Sequence, residues 1–192
     1  MRTSSSLLLL ASAVLVSACN TMPQMADVPR DPAPQLTVTD QKDADGRDLL
    51  TWSNASSFGK VSGQRKVLGD ATCLMARADL ESAGYHPAAK DVSGTPIPGG
   101  GYYCVVKARG DKPAETAPML VDTQGVMGWD MPSAFGAVPE SEQARGNAVC
   151  AQAQAGYEAA AYHPMAKDAS GKPIPGGGFF CAPKRNGGKA LS

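Results

Sequence analysis

The chain has 192 residues, with 18 Lys plus Arg balanced by 18 Asp plus Glu, and it holds 21 glycines and 15 prolines. A neutral chain without a basic run lacks the electrostatic footprint that nucleic acid or an anionic membrane surface requires. With 6% aromatic residues and so many turn formers it has a modest core, and its length suits one ordinary domain or two small ones.

Residues 1–18 have the layout of an export signal. Arg2 supplies a short positive start, Leu7–Leu10 and Ala11–Val16 form the apolar stretch, and small residues follow. The stretch is too short for a comfortable membrane span. Its end, Val16-Ser17-Ala18-Cys19, resembles the lipobox of bacterial lipoproteins, whose precursors are acylated on the cysteine thiol and cleaved before it. The resemblance covers this segment alone; an ordinary secretory signal cut after Ala18 is the alternative. It implies a lipidated Cys19 and a lipid-anchored protein. Because Asn20 rather than an aspartate follows the cysteine, it also implies the outer membrane, with the periplasmic or surface face left open. With Cys19 assigned to lipid, four cysteines remain in a compartment that permits disulfides.

Residues 19–34 hold the lipidated terminus and a proline-rich tether without apolar periodicity. Beyond them the chain repeats itself. The stretch Tyr85–Cys104, YHPAAKDVSGTPIPGGGYYC, returns at an offset of 77 as Tyr162–Cys181, YHPMAKDASGKPIPGGGFFC, with 15 of 20 positions identical. At the same offset Trp52 matches Trp129, Phe58-Gly59 matches Phe135-Gly136, and Val61 matches Val138. Ala33-Pro34-Gln35-Leu36 resembles Ala117-Pro118-Met119-Leu120 once seven extra residues are allowed in the first copy. The expected organisation is module 1 over 35–111, a linker at 112–116, module 2 over 117–187 and a tail at 188–192.

Each copy reads as two short strands, a loop, a helix and a final strand. The first strands are Leu36–Thr39 and Met119–Val121, and the second strands end at the tryptophans. Helices are expected over 64–83 and 141–160, with Ser62 and Ser141 as N-caps and Gly84 as a stop. Final strands follow at Tyr102–Lys107 and Phe179–Pro183. The fold class is α+β: two tandem homologous modules, each a short antiparallel sheet with one helix. A module of this size buries little apolar surface and gains from a covalent staple. The 31-residue spacing within each copy points to Cys73–Cys104 and Cys150–Cys181, each contributing about 3–4 kcal/mol in the chain-entropy model. The helix face Val67, Ala71, Leu74, Met75, Ala78 becomes Ala144, Ala148, Ala151, Gln152, Ala155 in the second copy. That smooth stripe suits either close helix–helix packing between the modules or a shallow seat on its own sheet.

The chemistry on offer is sparse. Gly99–Gly101 and Gly176–Gly178 follow prolines and precede an aromatic strand, unlike a phosphate loop, which opens a helix. One histidine per copy, His86 and His163, is a poor metal inventory when the cysteines are paired, and no cofactor is implied. Paired cysteines also argue against a Cys/His nucleophile. Asp91 and Asp168, in DVSG and DASG, suit turns. Binding candidates are therefore Tyr85, His86, Lys90, Asp91 and Tyr102, with Tyr162, His163, Lys167, Asp168 and Phe179, on two exposed loops carried by stapled scaffolds. The expected role is a non-enzymatic binding module in the bacterial envelope with a protein partner, such as an inhibitor or immunity-type protein for a periplasmic hydrolase. The alternatives are a structural envelope or secretion-apparatus lipoprotein, and a hydrolase acting on envelope glycan or peptide through Glu81, His86 and Asp91.

Overall fold

The computed structural model of the protein describes residues 32–42, 46 and 48–184. The signal-type segment, Cys19, most of the tether and the C-terminal tail lie outside the described residues. The fold is α+β. In the first copy β1 (Leu36–Lys42) pairs antiparallel with β2 (Asp48–Trp52), and β3 (Gly59–Lys60), β4 (Leu80–His86) and β5 (Gly101–Val106) form a second sheet in that order. Helix α1 (Gly63–Ala76) lies between β3 and β4 in the chain. The second copy repeats the plan with β6 (Leu120–Thr123) on β7 (Val126–Trp129), α2 (Glu140–Ala153), and β8 (Tyr157–His163) on β9 (Gly178–Pro183). The counterpart of β3 is reduced there to a Gly136–Tyr162 bridge.

Both helices end sooner than their sequences suggest, and the missing part of each is a strand. The helical expectation fails because the inward positions of β4 are Ser82, Gly84 and His86, all buried, so its period of two is written in small and polar residues. Gly84 accordingly sits inside β4 opposite Tyr103, beside a bulge, rather than stopping a helix. Ser62 does hold the N-cap position of α1, whereas Pro139 rather than Ser141 precedes α2.

A helix lies this close to a sheet only where side chains are absent. A Cβ on Gly69 would come within 2.5 Å of the Tyr102 ring and 2.7 Å of Ser82 Oγ, and one on Gly146 within 2.7 Å of both Ala159 and Phe179. One turn on, the staples cross from helix to strand as expected: Cys73–Cys104 and Cys150–Cys181, with Cα separations of 5.6 and 5.4 Å. A polar latch lies beside each, buried in module 1 and part-buried in module 2. In module 1 the Asp70 carboxylate accepts from Ser82 N and Ser82 Oγ, both at 2.8 Å, and from Lys66 Nζ. In module 2 Asn147 Oδ1 accepts from Ala159 N and Gln143 Nε2, both at 3.0 Å. The charged latch and the neutral one do the same work, tying the helix to the strand at its bulge.

The modules are not joined helix to helix. The alanine face of α2 is solvent-exposed at Ala144, Ala148, Ala151 and Gln152, as is Ala155 just beyond the helix. Instead α1 serves both modules. Its Cys73 side faces its own sheet, and Leu74, fully buried, enters a cluster with Phe135, Ala161 and Phe180 of module 2, flanked by Ala71 and Ala78. Lys107 closes this joint from below. It is 2% exposed, and its Nζ donates to Ala78 O at 2.6 Å and to Phe135 O at 2.8 Å. Burial, with Arg109 adding repulsion, lowers its pKa from 10.5 to about 8.

Leu74→Ala places in the joint the residue that α2 carries at the same position. The expected loss is about 2–5 kcal/mol, read by chemical denaturation of the 20–192 protein. A loss below about 1 kcal/mol would show that the joint does not hold the two units together.

Candidate functional site

The repeated loops are built on a backbone framework that uses most of their polar groups. Asp91 Oδ1 accepts from Ser93 N (2.9 Å), Ser93 Oγ (2.7 Å) and Thr95 N (2.9 Å), and Asp168 repeats this with Ser170 N, Ser170 Oγ and Lys172 N. These hydrogen bonds, that of the serine hydroxyl foremost, hold both carboxyls below the usual carboxylate range. Lys90 and Lys167 act through their backbones, joining Pro34 and Leu36 to the loop in one module and Pro118 and Leu120 in the other. Tyr85 donates its hydroxyl to Gly99 O and Tyr162 its hydroxyl to Gly176 O, both at 3.0 Å. The glycine triplet is required by the backbone and by a tryptophan. Gly99 and Gly100 have φ of +81° and +87°, and a Cβ on Gly101 would lie 2.6 Å from Ala89 and 2.8 Å from the Trp52 ring.

The histidines are buried, not displayed. His86 is 4% exposed and His163 is fully buried. Each Nδ1 accepts from a backbone N–H two residues on, Ala88 or Met165, at 3.1 Å. Each ring stands edge-on to a phenylalanine, Phe58 or Phe135. Glu81 lies 3.6 Å from Lys66, so Glu81, His86 and Asp91 are engaged separately and make no acid–base constellation. Among the described residues no group of three His, Cys, Asp or Glu is placed to hold a metal ion.

The copies differ at one end of the loop. In module 1 a cleft of about 440 Å³ lies between α1 and the glycine loop, lined by Leu36, Trp52, Leu68, Thr72 and Ile97–Tyr102. Tyr102 packs against Tyr85 with ring centroids 5.3 Å apart, and Arg65 covers the Tyr85 ring at 4.5 Å. Burial raises the pKa of Tyr102, with Tyr85 adding to the effect. In module 2 Arg145 stands where Leu68 stands. Its guanidinium lies 4.7 Å from the centre of the Phe179 ring, donates to Gly176 O and pairs with Glu142 at 2.7 Å. The equivalent surface is therefore overlaid by the chain's own arginine.

Of the expected binding residues, only Tyr102 lines this cleft. Tyr85 supports it from behind, and His86, Lys90 and Asp91 hold the loop together. Leu36, Trp52, Leu68 and Thr72 were not among the expected residues. The signal was present in the pairing of Leu68 with Arg145, an apolar residue in one copy and a charged one in the other. No protein-family model, curated protein or solved structure matches the chain.

Burial lowers the pKa of both histidines below 6.5, a hydrogen bond to Ala114 partly opposing it at His163. The folded state thus binds fewer protons than the unfolded state once pH falls below about 6.5. The histidine contribution to stability is complete above that value and is lost as pH falls toward the folded pKa values. The melting temperature of the 20–192 protein should fall between about pH 7 and about pH 5, and a His86→Asn, His163→Asn double variant should show a flatter profile. Equal slopes for the two proteins would contradict this assignment.

Proposed function

We propose that the protein is an outer-membrane-anchored lipoprotein whose folded part is a non-enzymatic binding module of the bacterial envelope, with a protein as its partner. The observation that carries this reading is the contrast between the two copies. The cleft beside the glycine loop of module 1 is open and apolar, walled by Leu68 and Tyr102, whereas Arg145 overlies its counterpart in module 2. The scaffold around the cleft is held rigid by a disulfide, a buried latch and an internally bonded loop. Rigid concave apolar surface with a few polar backbone groups is the usual form of a binding site. Catalysis is the weaker reading because the loop aspartates and the Nδ1 of each histidine are committed to backbone groups. An inhibitor or immunity-type protein acting on a periplasmic hydrolase fits a small, stapled, tethered module of this kind.

Leu68→Arg tests the reading directly, because module 2 shows that the fold accepts arginine there. The soluble 20–192 protein should retain a partner from envelope extract, and the variant should lose at least about tenfold in affinity for it, or roughly 1.4 kcal/mol. Equal retention by both proteins would remove the cleft from the interface, and no retained partner would favour a structural role.

The anchor rests on Val16–Cys19. Mass spectrometry of the mature N-terminus should show an acylated Cys19. An unmodified Cys19 or an uncleaved chain would sink that part of the proposal.

A further inference from the structure

Module 2 receives the chain that leads into it along a defined track. Ala137 N donates to Asp111 O at 2.7 Å, Ala114 N donates to Ala134 O at 2.8 Å, and His163 Nε2 meets Ala114 O at 2.9 Å. Gly136 lies directly beneath this segment, where a Cβ would fall 2.2 Å from Asp111 O and 2.5 Å from Pro113 N.

Module 1 carries the same track, with Ser57, Gly59, Lys60 and His86 at the positions of Ala134, Gly136, Ala137 and His163. His86 has the same pose as its counterpart, with matching Nδ1 acceptor geometry and ring contacts of 6.1 and 5.9 Å to Phe58 and Phe135. Because Nδ1 accepts from Ala88 N, the proton of the neutral ring resides on Nε2, and Nε2 must donate. Yet among the described residues His86 Nε2 is buried with no hydrogen-bond partner. A buried donor left unsatisfied is destabilising, because the water it gave up is not replaced. The atom that satisfies it in module 2 is a backbone carbonyl.

Chain continuity identifies the segment that would supply one. Lys90 N donates to Pro34 O and Leu36 N to Lys90 O, both at 2.9 Å; Lys167 N donates to Pro118 O at 2.9 Å and Leu120 N to Lys167 O at 3.0 Å. The chain thus reaches the two modules alike at Pro34 and Pro118. Four residues before these stand Arg30 and Ala114, and Asp27-Val28-Pro29-Arg30 keeps the aspartate and proline of Asp111-Lys112-Pro113-Ala114 at the same spacing.

We propose that Asp27–Arg30, which lies outside the described residues, docks on module 1 as Asp111–Ala114 docks on module 2, with the Arg30 carbonyl accepting from His86 Nε2. The docking does not depend on the cleft or on the lipid. Combined with an acylated Cys19, it leaves only residues 20–26 as free tether. Seven extended residues reach roughly 25 Å, so module 1 would be held near the bilayer rather than at the end of a long lead.

The test uses soluble 20–192 protein labelled with nitrogen-15 at histidine, and a second chain with residues 27–30 replaced by Gly-Ser-Gly-Ser. In the parent, His86 Nε2–H should exchange slowly with solvent, as His163 Nε2–H does, at every protein concentration. In the replaced chain it should exchange at least about tenfold faster while His163 is unchanged. Trypsin should cut the Arg30–Asp31 bond of the parent at least about tenfold more slowly than the same bond in a free 24–34 peptide. The proposal is overturned by fast His86 exchange in the parent or by exchange that ignores the replacement. Protection that appears only at high concentration would assign the site to a second copy, and equal trypsin rates would show that the segment is not docked.

Discussion

The joint between the modules is centred on one side chain, Leu74, working from a helix with two committed faces. On one side α1 is fixed to its own sheet by the Cys73–Cys104 bridge, by Asp70 against Ser82, and by the close approach at Gly69. On the other, Leu74 fills the space among Phe135, Ala161 and Phe180. A module of this size with little aromatic content lacks the apolar area to close its own core. Module 2 obtains part of that area from module 1, and Lys107 secures the loan by tying Ala78 O to Phe135 O. A buried lysine donating only to carbonyls is tolerable because its hydrogen bonds are made, and burial makes its proton easier to lose.

The two copies show which parts of the plan are architectural. Residues that hold the loop recur together with their geometry. Trp52–Phe58 and Trp129–Phe135 share a centroid separation of 4.9 Å and an angle of 63°. Asp91 and Asp168 bond the same three groups of their turns. Identity in the repeated stretch thus reflects the demands of a tight backbone, which a comparison of the two copies alone could mistake for function. Differences carry more information. Leu68 against Arg145 decides whether the cleft is open, and Leu74 against Ala151 decides which helix serves as the joint.

Much of this was legible in the sequence. The duplication, the disulfide pairing and the α+β plan follow from residue identities and spacing, and the glycine triplet reads correctly as a turn. The strands β4 and β8 did not, because their inward faces are Ser82, Gly84, His86 and Ala159, Ala161, His163, too small or too polar to write an apolar alternation. A signal did exist at the second helix: Gly156, with φ of +85°, closes the turn between α2 and β8. Reading the helix through it hid the strand in both copies. The displayed role expected of His86 and His163 failed for a similar reason. A histidine before proline at a strand end looks like loop chemistry until the phenylalanine that covers it, 28 residues upstream in each copy, is placed.

The alanine stripe of α2 acquires a physical meaning from the asymmetry of this joint. A helix of the first unit seated on the sheet of the second is a heterologous contact, and such a contact can repeat from molecule to molecule without closing. Among the described residues the two corresponding halves are the half-buried Phe58 and Tyr103 on module 1 and the exposed outer face of α2 on module 2. Had α2 kept the valine, leucine and methionine of α1, that face would present contiguous apolar surface matched to an aromatic patch on every other copy. Ala144, Ala151 and Gln152 stand where Val67, Leu74 and Met75 stand in α1, which removes the knob while preserving helix propensity. Lys184, at the position of Lys107, is correspondingly exposed. The second helix therefore keeps its staple and its latch but gives up the joint.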